Sequence, residues 1–267
     1  MIARVFPSKT TMTPTDIFAF VGGPPGQLPG LEKILVSVVF SWDIPEAERL
    51  AKIWGYTHPD TPVEIGGPAL GDRGGGFIPG LFLRAGCVIT SRGCPNSCWF
   101  CDVPKREGGI RELSVAEGWN VLDSNLLACS AGHQERVFQM LSRQMQRPIF
   151  SGGLEAKRIT PAIARRLREI KTDRLYCAYD TPDDLEPLRE AGKILQAAGF
   201  SKKHHLCAYV LMRFPKDTQV KAEKRIRDCW DAGFFPYAMP WRDPRREDWA
   251  AFARKWTRPA IARRYLP

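Results

Sequence analysis

Three cysteines in this chain stand close enough to act on one centre: Cys94-Pro-Asn-Ser-Cys98-Trp-Phe-Cys101, spaced C-x3-C-x2-C. Thiolates ligate soft metals and iron–sulfur clusters, and a loop this short gathers its cysteines on one centre. A structural zinc site closes with four ligands, usually from a second C-x2-C or a histidine pair. No second knuckle follows, and His204 and His205 lie far downstream as adjacent residues, a poor zinc pair. An ordinary ferredoxin cluster also takes four cysteines. Three thiolates on a four-iron cube leave one iron open to a substrate or cofactor, which is a catalytic arrangement. Pro95 and Asn96 supply turn chemistry within the loop, and its backbone N–H groups can donate to cluster sulfurs. The other five cysteines, Cys87, Cys129, Cys177, Cys207 and Cys229, are dispersed among apolar or small residues. They read as small buried hydrophobes and not as a disulfide framework.

The elements that must position such a loop alternate along the chain. Cys87-Val-Ile-Thr-Ser91 is a short β-prone run directly before the cysteines, and Trp119-Asn-Val-Leu-Asp123 reads as the next strand. Helical spacing follows over 133–143, a strand at 148–151, and a helix over 161–170 with Thr160 as N-cap and Pro161 at its first position. A strand at 175–180 and a helix over 183–198 come next, then a strand at 206–212, a helix over 217–230, a strand at 234–239 and a last helix over 248–255. Near-continuous apolar strands alternating with helices predict a parallel sheet covered on its faces. In such folds functional groups sit at the carboxyl ends of strands. That rule selects Asp123-Ser-Asn125, the Ser151-Gly-Gly-Leu-Glu155 stretch with Lys157 and Arg158, and Asp180. Each has a plainer alternative: Asp123 and Asp180 as helix caps, Lys157 and Arg158 as surface ion pairs.

The first eighty-odd residues differ. A strand at 34–40, a helix over 45–54 and a strand at 62–65 ending in Gly66-Gly67-Pro68 make a β-α-β unit. The glycine-rich 71–76 stretch satisfies neither G-x-G-x-x-G nor the P-loop pattern, and reads as a linker or a lid.

Composition bounds the class. The chain has 267 residues, 44% of them hydrophobic and 25% charged, enough for a sizeable core and too apolar for a disordered chain. No apolar run is long enough to span a membrane, and the opening residues lack the pattern of a secretory leader. The expectation is a cytoplasmic protein with no membrane partner. The net charge of +10 is uneven: from Arg242 to Arg264 eight basic residues face three acidic ones, and a second basic cluster occupies 157–174. Such clusters are either solvated faces or surfaces for phosphate-bearing partners. The tail also carries Trp241, Trp249, Trp256 and Tyr265 among its arginines, suited to stacking bases. Against that, Trp249, Phe252 and Trp256 fall at i, i+3, i+7, the spacing of a helix packed on the core.

With an aromatic residue just before its third cysteine, the C-x3-C-x2-C loop resembles that of the radical S-adenosylmethionine (radical SAM) superfamily. The resemblance implies an α/β fold: a partial (β/α)6 barrel over 84–240, preceded by a short β-α-β unit over 1–83 and followed by a basic helical tail over 241–267. It implies that Cys94, Cys98 and Cys101 hold a 4Fe–4S cluster whose fourth iron chelates S-adenosylmethionine. It places Phe100 against the adenine, Asp123 and Asn125 at the methionine ammonium, Lys157 or Arg158 at its carboxylate, and Asp180 at the ribose hydroxyls. It also implies an external one-electron reductant of the flavodoxin or ferredoxin type. The N-terminal unit resembles the tail of a cobalamin-binding domain without its D-x-H-x-x-G motif, and His58 lacks those surroundings, so no cobalamin is expected. Gly93-Cys94-Pro-Asn, Gly153-Leu154-Glu155, Tyr179-Asp180 and Trp241-Arg242-Asp243 together resemble a compact phage and bacterial group of the superfamily. That likeness supplies no substrate; a nucleic acid or nucleotide is the expectation the basic clusters raise. The rival function is a non-enzymatic iron–sulfur or zinc protein that binds nucleic acid through its basic surface.

Overall fold

The computed structural model describes residues 1–241 and 247–266, which fall into two compact units, Met1–Gly118 and Trp119–Pro267. The sequence boundary at 83/84 instead grouped the cysteine loop with the later strands.

In the first unit β1 (Ile2–Phe6), β2 (Ala19–Val21), β3 (Lys33–Ser37) and β4 (Val63–Gly66) form a parallel sheet ordered β2-β1-β3-β4. The helix α1 (Ile44–Thr57) turns Ala47, Leu50 and Trp54 inward at i, i+3, i+7. They pack on Ala3, Val5, Ile34, Val36 and Val38, alternate residues of the two central strands and of the chain just past β3. The expected β-α-β unit is present as β3-α1-β4, inside a larger sheet. Strand β1 escaped the sequence reading because Arg4 interrupts its apolar run. Arg4 is buried on the opposite face, where it donates to Gly80 O and Leu81 O at 2.7 and 3.2 Å and pairs with Asp16. Tertiary partners thus compensate a charge that periodicity alone would exclude from a strand.

The same unit continues through β5 (Cys87–Val88), β6 (Ser91–Arg92), α2 (Val103–Glu107) and β7 (Arg111–Glu112), with β6 and β7 antiparallel.

The second unit alternates β8 (Asn120–Val121), α3 (Ala131–Ser142), β9 (Ile149–Phe150), α4 (Pro161–Glu169), β10 (Arg174–Tyr179), α5 (Leu185–Ala197), β11 (Leu206–Met212), α6 (Gln219–Asp231) and β12 (Phe235–Pro240). Strands β8 to β12 lie side by side in chain order, each parallel to the next. Hydroxyl caps start three of the helices: Ser130 accepts from His133 N, Thr160 from Ile163 N and Thr218 from Lys221 N. Both units are therefore mixed α/β with parallel sheets.

One face of β10 carries Leu175, Cys177 and Tyr179 into the layer shared with α6, where the Tyr179 hydroxyl donates to Asp228 at 3.3 Å. The other face carries Tyr176, stacked on Tyr209 at 4.8 Å and edge-on to Tyr237 at 5.3 Å. The tail helices α7 (Ala250–Trp256) and α8 (Pro259–Ala262) end the described chain. Trp249, Phe252 and Trp256 are all buried, so this stripe is packing, as its spacing allowed, and not a stacking platform. Among the described residues no helix is long and apolar enough to cross a membrane.

Candidate cofactor site

The cysteine loop is built on a close approach of two backbones. Gly93 has φ +86°, and a Cβ there would lie 2.1 Å from Gly109 O, so no other residue fits. Its N–H donates to Glu107 Oε2 at 2.8 Å, and the next N–H, of Cys94, donates to Gly108 O at 3.1 Å. The loop is thereby clamped at its base from both sides. Within it, Cys101 N donates to Cys98 O at 3.1 Å, a turn that keeps the second and third cysteines on one bend. Phe100 stands edge-on to Trp99, with ring centroids 5.4 Å apart, and Trp99 is exposed.

Glu107 is the residue the sequence reading missed here. It is buried, with Arg106 at 2.8 Å and Arg92 at 3.9 Å from its Oε1. Its sole advance signal was a lone acid between basic and glycine residues, Lys105-Arg106-Glu107-Gly108-Gly109.

Cys94, Cys98 and Cys101 are half-buried, whereas the other five cysteines are buried, and none of the eight forms a disulfide. Desolvation pushes the Cys177 thiol up to about 12 and Cys207 up to about 11, and it holds Cys229 well above the ordinary thiol range. Those thiols stay protonated and are poor ligands. Among the described residues no group of three His, Cys, Asp or Glu side chains converges as a bound metal would need. What fits an iron–sulfur cluster is the donor chemistry: three accessible thiols on one clamped loop.

In the second unit the remaining predicted residues lie at the carboxyl ends of β8, β9 and β10. Gly152 lets the chain cross directly over Asp123, whose carbonyl would be 2.3 Å from a Cβ at that position. Asn125 Nδ2 donates to Glu155 Oε2 at 2.8 Å, Arg158 Nε to the same oxygen at 2.5 Å, and Lys157 Nζ pairs with Glu155 Oε1 at 2.9 Å. Glu155 thus gathers Asn125, Lys157 and Arg158 into one network; the ion-pair alternative is what the two cations adopt. Asp123 is buried and is not the cap of α3, a role Ser130 fills.

Asp180 is not a cap either. Thr181 and Asp184 form the capping box ahead of α5, while Asp180 Oδ1 accepts from Leu211 N at 3.2 Å. Burial, and then the neighbouring Asp184 carboxylate, push Asp180 up to about 7. Beyond it, Asp217 accepts from Arg213 N and from Arg225, each at 2.8 Å, and Arg225 also donates to Leu211 O. Arg213 holds φ +66°, unusual for a residue with a side chain. Nothing in the sequence marks this buried pair beyond an acid and a base eight positions apart on either side of a helix start.

The basic cluster at 157–174 is largely spent internally. Besides the Glu155 pairs, Arg166 binds Glu135 and Glu169, and Arg168 lies over the Phe200 ring. The tail differs: Arg254, Arg258 and Arg264 are exposed, and exposed Arg263 lies 5.2 Å over the Phe235 ring. Arg242, Arg245 and Arg246, with Asp243, lie outside the described residues. His58 is buried beside Trp54 and accepts from Leu28 N at 2.9 Å, a structural use of its ring.

No protein-family model matches this chain, and a search of curated proteins finds no match.

Proposed function

We propose that this chain is a radical SAM enzyme in which Cys94, Cys98 and Cys101 hold a 4Fe–4S cluster beside S-adenosylmethionine. The observation that supports this reading is the division of the cysteines: three half-buried thiols on a loop clamped by Gly93 and Glu107, against five buried ones, of which Cys177, Cys207 and Cys229 are held protonated by desolvation. When bound, the cluster would supply one electron to break the sulfonium S–C5′ bond, giving methionine and a 5′-deoxyadenosyl radical that takes hydrogen from a substrate. The chain's own residues bind, orient and exclude water.

On this reading β8 to β12 belong to a partial (β/α)6 barrel, and their carboxyl ends receive the cofactor. Asp123 and Asn125 meet the methionine ammonium, Lys157 or Arg158 its carboxylate, and Asp180 the ribose hydroxyls; Phe100 lies along the adenine. Glu155 fixes Asn125 and Arg158 in advance, so the polar wall is ordered before the cofactor arrives. A carboxyl poised near 7 at Asp180 can donate as well as accept a hydrogen bond to a hydroxyl. The electron comes from an external flavodoxin- or ferredoxin-type protein. The exposed tail arginines favour a nucleic-acid or nucleotide substrate.

Iron content after anaerobic reconstitution tests the ligand set. Cys94→Ala, Cys98→Ala and Cys101→Ala should each lose most iron and the visible absorption, while Cys129→Ala and Cys229→Ala keep both. Equal loss on removing a buried cysteine would overturn the assignment.

A further inference from the structure

Arg92 and Arg111 stand against the glycine-rich 71–76 loop of the first unit, and Arg106 is joined to Arg92 through Glu107. Arg92 and Arg111 are cross-strand partners on β6 and β7, and Arg106 sits on α2. Arg111 Nη2 donates to the carbonyls of Arg73 and Gly74 at 2.8 and 3.2 Å. Arg92 lies so close over Gly74 that a Cβ there would be 2.4 Å from its Cζ. Arg92 and Arg106 share one carboxylate, Glu107. Each of the three guanidinium groups also has a buried Nε without a hydrogen-bond partner. Leaving a buried charged donor unmade is costly, and Arg92, the one of the three that borders a cavity, calls for an acceptor there.

Arg92 is also a wall of a cavity of about 460 Å³, lined besides by Leu35, Phe77, Ile78 and Phe82 and by the charged Lys33, Glu64 and Asp72, within the roughly 300–1,000 Å³ typical of small-ligand sites. We propose that this cavity binds a phosphate monoester carried on an apolar body. Of the other charges on the wall, Lys33 and Glu64 pair with each other at 2.7 Å, and exposed Arg73 offsets Asp72 beside it; Arg92, Arg106 and Arg111 against Glu107 then leave two positive charges. A phosphate monoester carries about −1.5 to −2 at neutral pH and three acceptor oxygens, and a carboxylate only one charge. The phosphate meets Arg92, with Arg106 and Arg111 supplying field from behind. The apolar body lies along Phe77, Ile78 and Phe82. The site does not depend on the cysteines holding iron.

Titration calorimetry on the full chain with phenyl phosphate tests it. Saturable binding is expected, with inorganic phosphate and phenylacetate each weaker by roughly tenfold or more, the first lacking the apolar body and the second one charge. Arg92→Gln should weaken phenyl phosphate by a similar factor. So should Ile78→Glu, which places an opposing charge at an exposed wall position that folding does not need. No saturation at millimolar phenyl phosphate, equal affinity for phenylacetate, or unchanged affinity in Ile78→Glu would overturn the proposal.

Discussion

Replacing Asp180 by Asn should make this protein more stable, and increasingly so as the pH rises. The folded chain lifts Asp180 from 3.8 to about 7, through burial first and the Asp184 carboxylate second. Between those values the folded state holds a proton that the unfolded state has released, so stability falls as pH climbs from about 4 to about 7. At ~1.36 kcal/mol per unit, the full penalty above that window is about 4 kcal/mol. Asn keeps an oxygen for the Leu211 N–H and removes the charge. The stability gap between variant and wild type should therefore be about 1 kcal/mol at pH 4.5 and widen by about 3 kcal/mol by pH 8. Urea unfolding followed by far-UV circular dichroism across that range measures the gap. A gap independent of pH, or one that narrows, would refute the reasoning. Under the proposed function the same variant binds S-adenosylmethionine more weakly.

Two further expectations concern the loop and the tail. Gly93→Ala forces a side chain into a positive-φ position against Gly109 O, at a cost of about 1–3 kcal/mol. It should lower iron retention after reconstitution, whereas Gly109→Ala, whose Cβ meets open space, should leave it unchanged; equal retention in both would mean the clamp does not set the loop. If the exposed tail carries a nucleic acid, binding to a mixed single-stranded pool should weaken steeply with salt. Replacing Arg258, Arg263 and Arg264 should then flatten the slope by ~0.7 per lost phosphate contact, and binding indifferent to those arginines would remove the tail from the interface.

The second unit was legible because its signals are local. Thr160 caps its helix, with Pro161 at the first position, where the sequence puts them, and Leu206–Met212 is apolar enough to read as a strand without help. Strands β8 and β9 span only two residues each, so their flanks were over-read as strand. The first unit hides more. Arg4 disguises β1, and β2 is three residues long with no buried member. At the site, spacing singled out Cys94, Cys98 and Cys101, and the strand-end rule brought forward Asn125 and Asp180. Glu155 entered only as part of a motif, and Glu107 and the Arg225–Asp217 pair not at all. Their roles come from partners between 3 and 30 residues away in sequence, which no local pattern encodes. Glycines make the 71–76 stretch read as a linker or a lid; the bonds from Arg111 to Arg73 O and from Gly74 N to Asp72 depend on partners the pattern does not show.

The most direct test of the central claim is product analysis after reduction. Anaerobically reconstituted protein, supplied with S-adenosylmethionine and dithionite, should release 5′-deoxyadenosine and methionine in equal amounts, and the Cys98→Ala variant should release neither. Protein that binds iron at these three cysteines and S-adenosylmethionine, yet forms no 5′-deoxyadenosine, would contradict it.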